Sequence, residues 1–169
     1  MTLAELLRGL DLAALRAQLD EQGHAHLPRL LTPAQCEALL RQPALAGTLT
    51  CLDAGQFQPL ACDEAPAPNQ ALVLAALLSP AQDFSGGELV MTEQRPRQQS
   101  RPMVVPLAQG DAVLMRVGAR TVQGTHGPYR AVLRHGIARV REGRRLGWQH
   151  TFPPDAVQPS PPPPWCQTP

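Results

Sequence analysis

The sequence predicts an α+β fold that is mainly β, with two helices followed by an antiparallel barrel or jelly roll. Leucines at helical spacing dominate the first part of the chain, whereas short β-prone runs separated by Gly, Pro, Asp and Asn dominate from about residue 47 onward. Strands that follow one another without helical segments between them favour antiparallel sheets over a βαβ fold. The order of helices first and strands second indicates that the helices brace one sheet.

The first predicted helix covers residues 3–21. Leucines stand at positions 3, 6, 7, 10, 15 and 19, a spacing that places most of them on one helical face. Thr2 and Glu5 are placed to form a capping box in front of it, and Gly23 lies just beyond its end.

A second helix is predicted after a short extended piece at residues 25–30. Thr32 is its cap, Pro33 occupies its first position and Gln35 completes a second capping box. This helix is expected to run to about Gln42.

Eight β-prone runs follow, at residues 48–52, 71–78, 88–92, 103–107, 112–117, 120–123, 131–138 and 146–152. We therefore expect one domain over residues 1–152, with residues 1–42 as helical support and residues 47–152 as the β core. Residues 153–169 are rich in proline and are expected to form a disordered or polyproline II tail. A ligand for an SH3-like or WW-like domain is the alternative for this tail.

Composition excludes several classes of protein. The net charge of +1 provides no strong global field, so contact with a polyanion would need local clusters of the 15 basic residues, all arginine. Cys36, Cys51, Cys62 and Cys166 are scattered and contain no C-x-x-C pair, which argues against a zinc knuckle or a disulfide framework. Because neither a signal peptide nor a long apolar run is found, we expect a cytoplasmic protein without a membrane segment.

The residues that carry chemistry lie between Asp83 and Trp148. In order they are Gly86-Gly87-Glu88, the run from Arg95 to Arg101, Gly110-Asp111-Ala112-Val113, His135-Gly136-Ile137, and Gly143-Arg144-Arg145. As an ordered set they resemble the Fe(II)/2-oxoglutarate-dependent oxygenase superfamily, and more narrowly an AlkB-like, prolyl-hydroxylase-like bacterial branch proposed to act on methylated nucleic acid. The resemblance covers the C-terminal half closely and the N-terminal helices loosely.

This resemblance implies a double-stranded β-helix, a jelly roll of the cupin type, with Fe(II) and the co-substrate 2-oxoglutarate. Such enzymes hold iron with two imidazoles and one carboxylate. By resemblance, His135 and Asp63 are iron ligands, and Arg145, ten residues after His135, pairs with the distal carboxylate of 2-oxoglutarate. Arg144 is the alternative partner for that carboxylate.

The sequence departs from the family pattern at the first iron ligand. The pattern G-D-Y-N-x-L-H-x-D aligns with residues 55–63, but Ala61 occupies the histidine position. A methyl group cannot coordinate a metal, so the iron site lacks one of its three protein ligands. His24 and His26 are the alternatives that could complete it, although the matching family segment is structural.

Two functions therefore stay open. The first is a dioxygenase that hydroxylates or demethylates an unidentified substrate, with methylated nucleic acid as a candidate partner. Candidate substrate contacts are Arg95, Arg97, Arg101, His126 and Arg130, whose arginines form either a solvated face or a phosphate-binding surface. The second is a catalytically degenerate jelly-roll binding protein that has lost the first histidine ligand.

Overall fold

The computed structural model describes residues 6, 9–41, 47–62, 71–95, 99–117, 119–124 and 127–152. The helices are α1 (Leu12–Gln22) and α2 (Pro33–Arg41), and a short 3-10 helix covers Ala81–Asp83. The strands are β1 (His24–Leu27), β2 (Thr48–Asp53), β3 (Gln58–Ala61), β4 (Ala71–Leu77), β5 (Phe84–Gly86), β6 (Leu89–Gln94), β7 (Arg101–Val105), β8 (Ala112–Val117), β9 (Ala119–Gly124), β10 (Gly127–Ile137) and β11 (Val140–Phe152). The predicted tail at residues 153–169 lies outside the described residues.

The first helix begins later than the sequence predicts. Gly9 adopts a φ of 89°, and Asp11 caps α1 by accepting two backbone N–H groups of the first turn at 2.9 and 3.1 Å. A continuous helix over residues 3–21 is therefore wrong, because the chain turns at Gly9 and starts again at Asp11. The predicted end is confirmed: Gly23 has a φ of 78° and donates its N–H to the Leu19 carbonyl.

The second helix begins as predicted. Thr32 N donates to Gln35 Oε1 at 2.8 Å, and Gln35 N donates to Thr32 Oγ1 at 3.3 Å, so this capping box is confirmed. The corresponding box of Thr2 and Glu5 lies outside the described residues.

None of the described helices is long and apolar enough to cross a lipid bilayer.

The strands form two antiparallel sheets. One has the order β1-β8-β4-β11-β2, with β5 also pairing with β11, and the other has the order β3-β10-β6-β7, with β9 also pairing with β10. The chain passes between the sheets repeatedly from β2 to β11, which confirms the predicted jelly roll. Strands β2 and β3, which follow each other in the chain, are edge strands of opposite sheets.

Two apolar clusters stabilise this arrangement. An inner core lies between the sheets and contains Val73, Leu89, Met91, Val105, Val113, Met115, Leu133 and Ile137. An outer core joins the helices to the first sheet and includes Leu15, Leu19, Cys36, Leu39, Leu72, Leu74, Leu114, Trp148 and Phe152. Because side chains alternate along a strand, Trp148 and Phe152 place one face of β11 toward the helices and leave the other face for the interior.

A buried carboxylate holds the loops at the start of β8. Asp111 is 7% exposed and accepts the backbone N–H groups of Arg29 at 2.8 Å and Ala108 at 2.9 Å. His26 Nε2 lies 3.6 Å from Asp111 Oδ2, the oxygen that accepts from Ala108. Asp111 therefore ties the segment between β1 and α2 to the turn that precedes β8.

Candidate active site

Arg145 places a guanidinium inside the jelly roll. It lies on β11 opposite Leu52 of β2, and only 4% of the residue is exposed. Its Nε donates to the Gly87 carbonyl at 2.8 Å. Burial lowers the pKa of Arg145 to about 10, because the charged form loses water on entering the interior.

Two glycines make room for this side chain. A Cβ atom on Gly147 would lie 2.9 Å from Nη1 of Arg145, and one on Gly87 would lie 2.8 Å from its Cδ. Gly147 lies two residues beyond Arg145 on the same face of β11, so the guanidinium extends over a position without a side chain. Gly87, the second glycine of the Gly-Gly turn, therefore helps to shape the arginine site, a role that the sequence did not predict.

The neighbouring Arg144 points the other way. It pairs with Asp53 of β2, and its Nε donates to Asp53 Oδ1 at 2.6 Å. Its side chain is 62% exposed. Of the two candidate partners for a co-substrate carboxylate, the structure places Arg145 inside the molecule and Arg144 on its surface.

His135 also faces the interior. It lies on β10 in register with Met91 of β6 and with Ala61 of β3. It is 5% exposed, and its neighbours on the same face of β10, Leu133 and Ile137, belong to the inner core. His135 and Arg145 are thus both buried side chains, one on each of the two sheets.

The position across from His135 is the one where the family pattern places a histidine. Directly paired residues in antiparallel strands have Cβ atoms about 4.5–5.5 Å apart, so residue 61 is a direct cross-strand neighbour of His135. Ala61 supplies a methyl group there. Asp63, the predicted carboxylate ligand, lies outside the described residues.

These residues do not fit a complete iron site. Within the described part of the chain, no group of three His, Cys, Asp or Glu side chains is placed to hold a metal. Even with Asp63 included, the alanine leaves one imidazole and one carboxylate where two imidazoles and a carboxylate are needed. Arg145 suits a carboxylate ligand, whereas the positions expected to hold iron lack one of the three protein ligands.

His24 and His26 do not fill this gap. Both lie on β1 and pair with β8, at the edge of the sheet opposite β2. His26 instead lies 3.6 Å from Asp111. The structure therefore leaves the alternative of a replacement histidine on β1 without support.

Two adjoining spaces lead to Arg145. The inner cavity, of about 20 Å³, is lined by Arg145, Gly147 and Ile137 among others. An open cleft of about 350 Å³ lies beside it, between the edge strands β2 and β3. Three side chains line both spaces: Thr50, Gln58 and Gln149. The sequence analysis did not single out these neutral residues. The alternation of side chains along β2 and β11 is the signal that could have indicated that Thr50 and Gln149 face inward.

The predicted substrate contacts divide into three kinds. Arg95 donates to the buried Glu93 carboxylate and lies over the ring of Tyr129, 5.5 Å from its centroid. Its guanidinium is therefore engaged within the protein. Arg101 and Arg130 are exposed. The remaining two, Arg97 and His126, lie outside the described residues.

Comparison with known proteins gives one family and a consistent fold. A family model named Oxygenase-NA, described as "Oxygenase, catalysing oxidative methylation of damaged DNA", matches residues 42–153, roughly two thirds of the chain. Two uncharacterized proteins from Mycobacterium tuberculosis are 37% identical over 73 residues, which is 43% of this chain and 31% of theirs. The chain thus spans about a third of the length of these curated relatives.

Solved structures share the architecture at low sequence identity. A prolyl-4-hydroxylase from Pseudomonas putida matches with a TM-score of 0.61 at 15% identity, over 84% of this chain and 91% of that one. An oxidoreductase of the 2OG-Fe(II) oxygenase family from Burkholderia pseudomallei matches with a TM-score of 0.58 at 14% identity, over 84% and 90% of the two chains. The predicted double-stranded β-helix is confirmed by these likenesses.

Proposed function

Since this chain belongs to the Oxygenase-NA family, we propose that it is a dioxygenase-type oxidoreductase in which Arg145 binds the co-substrate 2-oxoglutarate. The 2OG-Fe(II) oxygenases that share its fold use Fe(II) and 2-oxoglutarate. The observation that carries the proposal is the buried guanidinium of Arg145, which pairs with no carboxylate among the described residues. A carboxylate that accepts two parallel hydrogen bonds from it would supply the missing counter-charge.

The residues around Arg145 suit this role. The hydrogen bond from Nε to the Gly87 carbonyl fixes the side chain, and the glycine at position 147 leaves the Nη side open toward the cavity. The apolar side chains of the inner core lie close by, and a low local dielectric strengthens a charge-assisted hydrogen bond. Arg145 would thus hold and orient one carboxylate of 2-oxoglutarate.

The role of Arg145 is tested by binding of 2-oxoglutarate and its inert isostere N-oxalylglycine, followed by calorimetry. Arg145→Gln removes a charge-assisted contact worth about 1.5–3 kcal/mol, so we expect affinity to fall by roughly 10- to 150-fold. Arg144→Gln is the matched control, because its side chain lies on the surface, and it should bind like the wild type. Equal losses in both variants, or none in Arg145→Gln, would refute the proposal.

Methylated nucleic acid is the substrate class that we propose for the oxidation. The family description names damaged DNA, and the exposed Arg101 and Arg130 suit phosphate contacts, which depend on salt through counterion release. Fluorescence anisotropy with a methylated and an unmodified single-stranded oligonucleotide should show that Arg130→Ala lowers the salt slope by about one. Arg41→Ala on α2 is the control, and equal effects of both changes would contradict this assignment.

A second candidate function is favoured by Ala61. If the iron site is permanently incomplete, the protein is a degenerate member of its family that binds a carboxylate ligand without oxidising anything. This candidate predicts that 2-oxoglutarate binds while no succinate forms in the presence of Fe(II) and oxygen. Succinate released by the wild-type protein at a rate that matches Ala61→His would exclude it.

A further inference from the structure

Phe57 presents an aromatic ring on the surface beside the cleft between β2 and β3. It is 54% exposed, and it is the one aromatic side chain among the large apolar residues that the described part of the chain exposes. It lines the open cleft but not the inner cavity. Single apolar residues on a surface are common and indicate nothing by themselves. The ring of Phe57 has a further feature, because the guanidinium carbon of Arg139 lies over it, 5.8 Å from its centroid.

The turn that precedes Phe57 is fixed by hydrogen bonds to the start of β11. Gly55 adopts a φ of 89° and donates its N–H to the Val140 carbonyl at 2.8 Å, while Val140 N donates to the Gln56 carbonyl at 2.9 Å. Asp53 N donates to Gln56 Oε1 at 2.7 Å. The backbone that carries Phe57 is therefore held in position before any ligand arrives, which lowers the entropic cost of binding to it.

Two exposed arginines adjoin the ring. Val140 is fully buried, so Arg139 and Arg141 on either side of it project toward solvent. A Cβ atom on Gly86 would lie 3.1 Å from Cγ of Arg141, which places this side chain over β5. Among the described residues, no carboxylate lies within ion-pair distance of either guanidinium. Glu142 follows in the chain, so the two arginines leave this surface with a net positive charge.

An exposed ring beside unpaired arginines suits a ligand that has both flat π faces and negative charges. Single-stranded nucleic acid has both, because unpaired bases stack on aromatic rings and on guanidinium planes, while phosphates pair with arginine. Arg139 lies over one face of the Phe57 ring, and the exposed fraction of the side chain leaves ring surface open to a base. An apolar protein partner is disfavoured, because it would bury the charge of Arg139 without a counter-ion.

We propose, on the basis of the nucleic-acid substrate proposed above, that Phe57 and Arg139 form a stacking platform for one unpaired base and that Arg141 contacts a backbone phosphate. The stacked base holds a single strand beside the cleft that leads to Arg145. Because every base has a π face, this platform supplies affinity without sequence preference. Phe57 is thus a positioning residue for the strand and takes no part in the oxidation.

The test measures binding of two single-stranded oligonucleotides of equal length and charge by fluorescence anisotropy. One has normal bases and the other consists of abasic nucleotides. Phe57→Leu keeps an apolar side chain without a π face, so it should bind the normal strand at least about fivefold more weakly than the wild type does. It should bind the abasic strand like the wild type. Phe57→Trp should keep the wild-type affinity for the normal strand or exceed it.

Salt dependence separates stacking from phosphate contact. Arg141→Gln should lower the salt slope by about one for both strands, whereas Phe57→Leu should leave the slope unchanged, because stacking releases no counterions. Val104→Ala is the matched control for loss of an exposed apolar side chain. Val104 is 61% exposed on β7, at the edge of the same sheet opposite β3, and its replacement should not change binding.

The possible results distinguish the stacking platform from the proposed substrate class. If the normal strand binds but Phe57→Leu binds it like the wild type, or loses equal affinity for both strands, the platform is refuted and the substrate class stands. A wild-type dimer in sedimentation velocity that Phe57→Leu converts to a monomer would also refute it, since the ring would then contact a second copy of the chain. If the wild type binds neither strand, the platform and the nucleic-acid substrate fail together.

Discussion

Replacing Arg145 by methionine distinguishes a ligand-binding arginine from a structural one. Burial lowers the pKa of Arg145 to about 10, and 4% exposure leaves little solvent to screen this effect. A lowering of the pKa by this amount means that burying the charged guanidinium costs roughly 3 kcal/mol of stability. The hydrogen bond to Gly87 offsets about 1.5–3 kcal/mol of that cost.

The pH dependence of this cost follows from the lowered pKa of Arg145. Because the folded state binds this proton more weakly than the unfolded state, the cost is fully present at every pH below about 10, and it is relieved as the pH rises from there toward the unfolded value. At pH 7.5 we therefore expect Arg145→Met to be as stable as the wild type or up to about 1.5 kcal/mol more stable, since apolar replacement of a buried ion is often neutral or stabilising. For a chain of this length that raises Tm by up to about 6 °C.

Urea denaturation and thermal melts, each with and without 2-oxoglutarate, measure this directly. Ligand at a hundredfold excess over Kd should stabilise the wild type by about 2.7 kcal/mol, whereas Arg145→Met should show no shift. Arg144→Met is the surface control and should keep the ligand response. Loss of about 3–5 kcal/mol in Arg145→Met would refute the reasoning, because that is the effect of removing one partner of a buried ion pair.

Three further predictions concern single residues. Gly147→Ala places a Cβ 2.9 Å from the Arg145 guanidinium, so we expect at least about tenfold weaker binding of 2-oxoglutarate with an unchanged circular dichroism spectrum. Asp111→Ala removes the acceptor of two backbone N–H groups and should lower the free energy of unfolding by about 2–4 kcal/mol in urea; a loss under 0.5 kcal/mol would contradict its role. Burial raises the pKa of the Cys36 thiol, so brief alkylation followed by mass spectrometry should modify the exposed Cys51 well before Cys36.

Much of the fold was accessible to sequence reading, because the inner and outer faces of the strands carry different residues. The short strands β3 and β5 were missed, since a four-residue and a three-residue strand carry too few alternations to be seen. Strand β11 starts at Val140, whereas the sequence predicts a start near residue 146. The earlier part was missed because charged residues occupy the exposed first half of the strand. The break at Gly9 was missed because the leucine spacing continues across it.

Part of the candidate site was also predictable from the sequence. The family resemblance identifies His135 and Arg145 as candidate site residues, but a choice between the adjacent Arg144 and Arg145 requires knowledge of which face of β11 is interior. The structure supplies it through the register with β2. The pairing of Ala61 with His135 is a long-range contact between distant segments, and no local pattern in the sequence determines it.

The most direct test of this account is an anaerobic titration of the apo protein with Fe(II), with and without 2-oxoglutarate, beside the Ala61→His variant. The account predicts weak binding by the wild type and at least about 10- to 100-fold tighter binding by Ala61→His, with 2-oxoglutarate tightening the metal in the variant. Equal metal affinity in the two proteins would contradict it, because a residue other than position 61 would then complete the iron site.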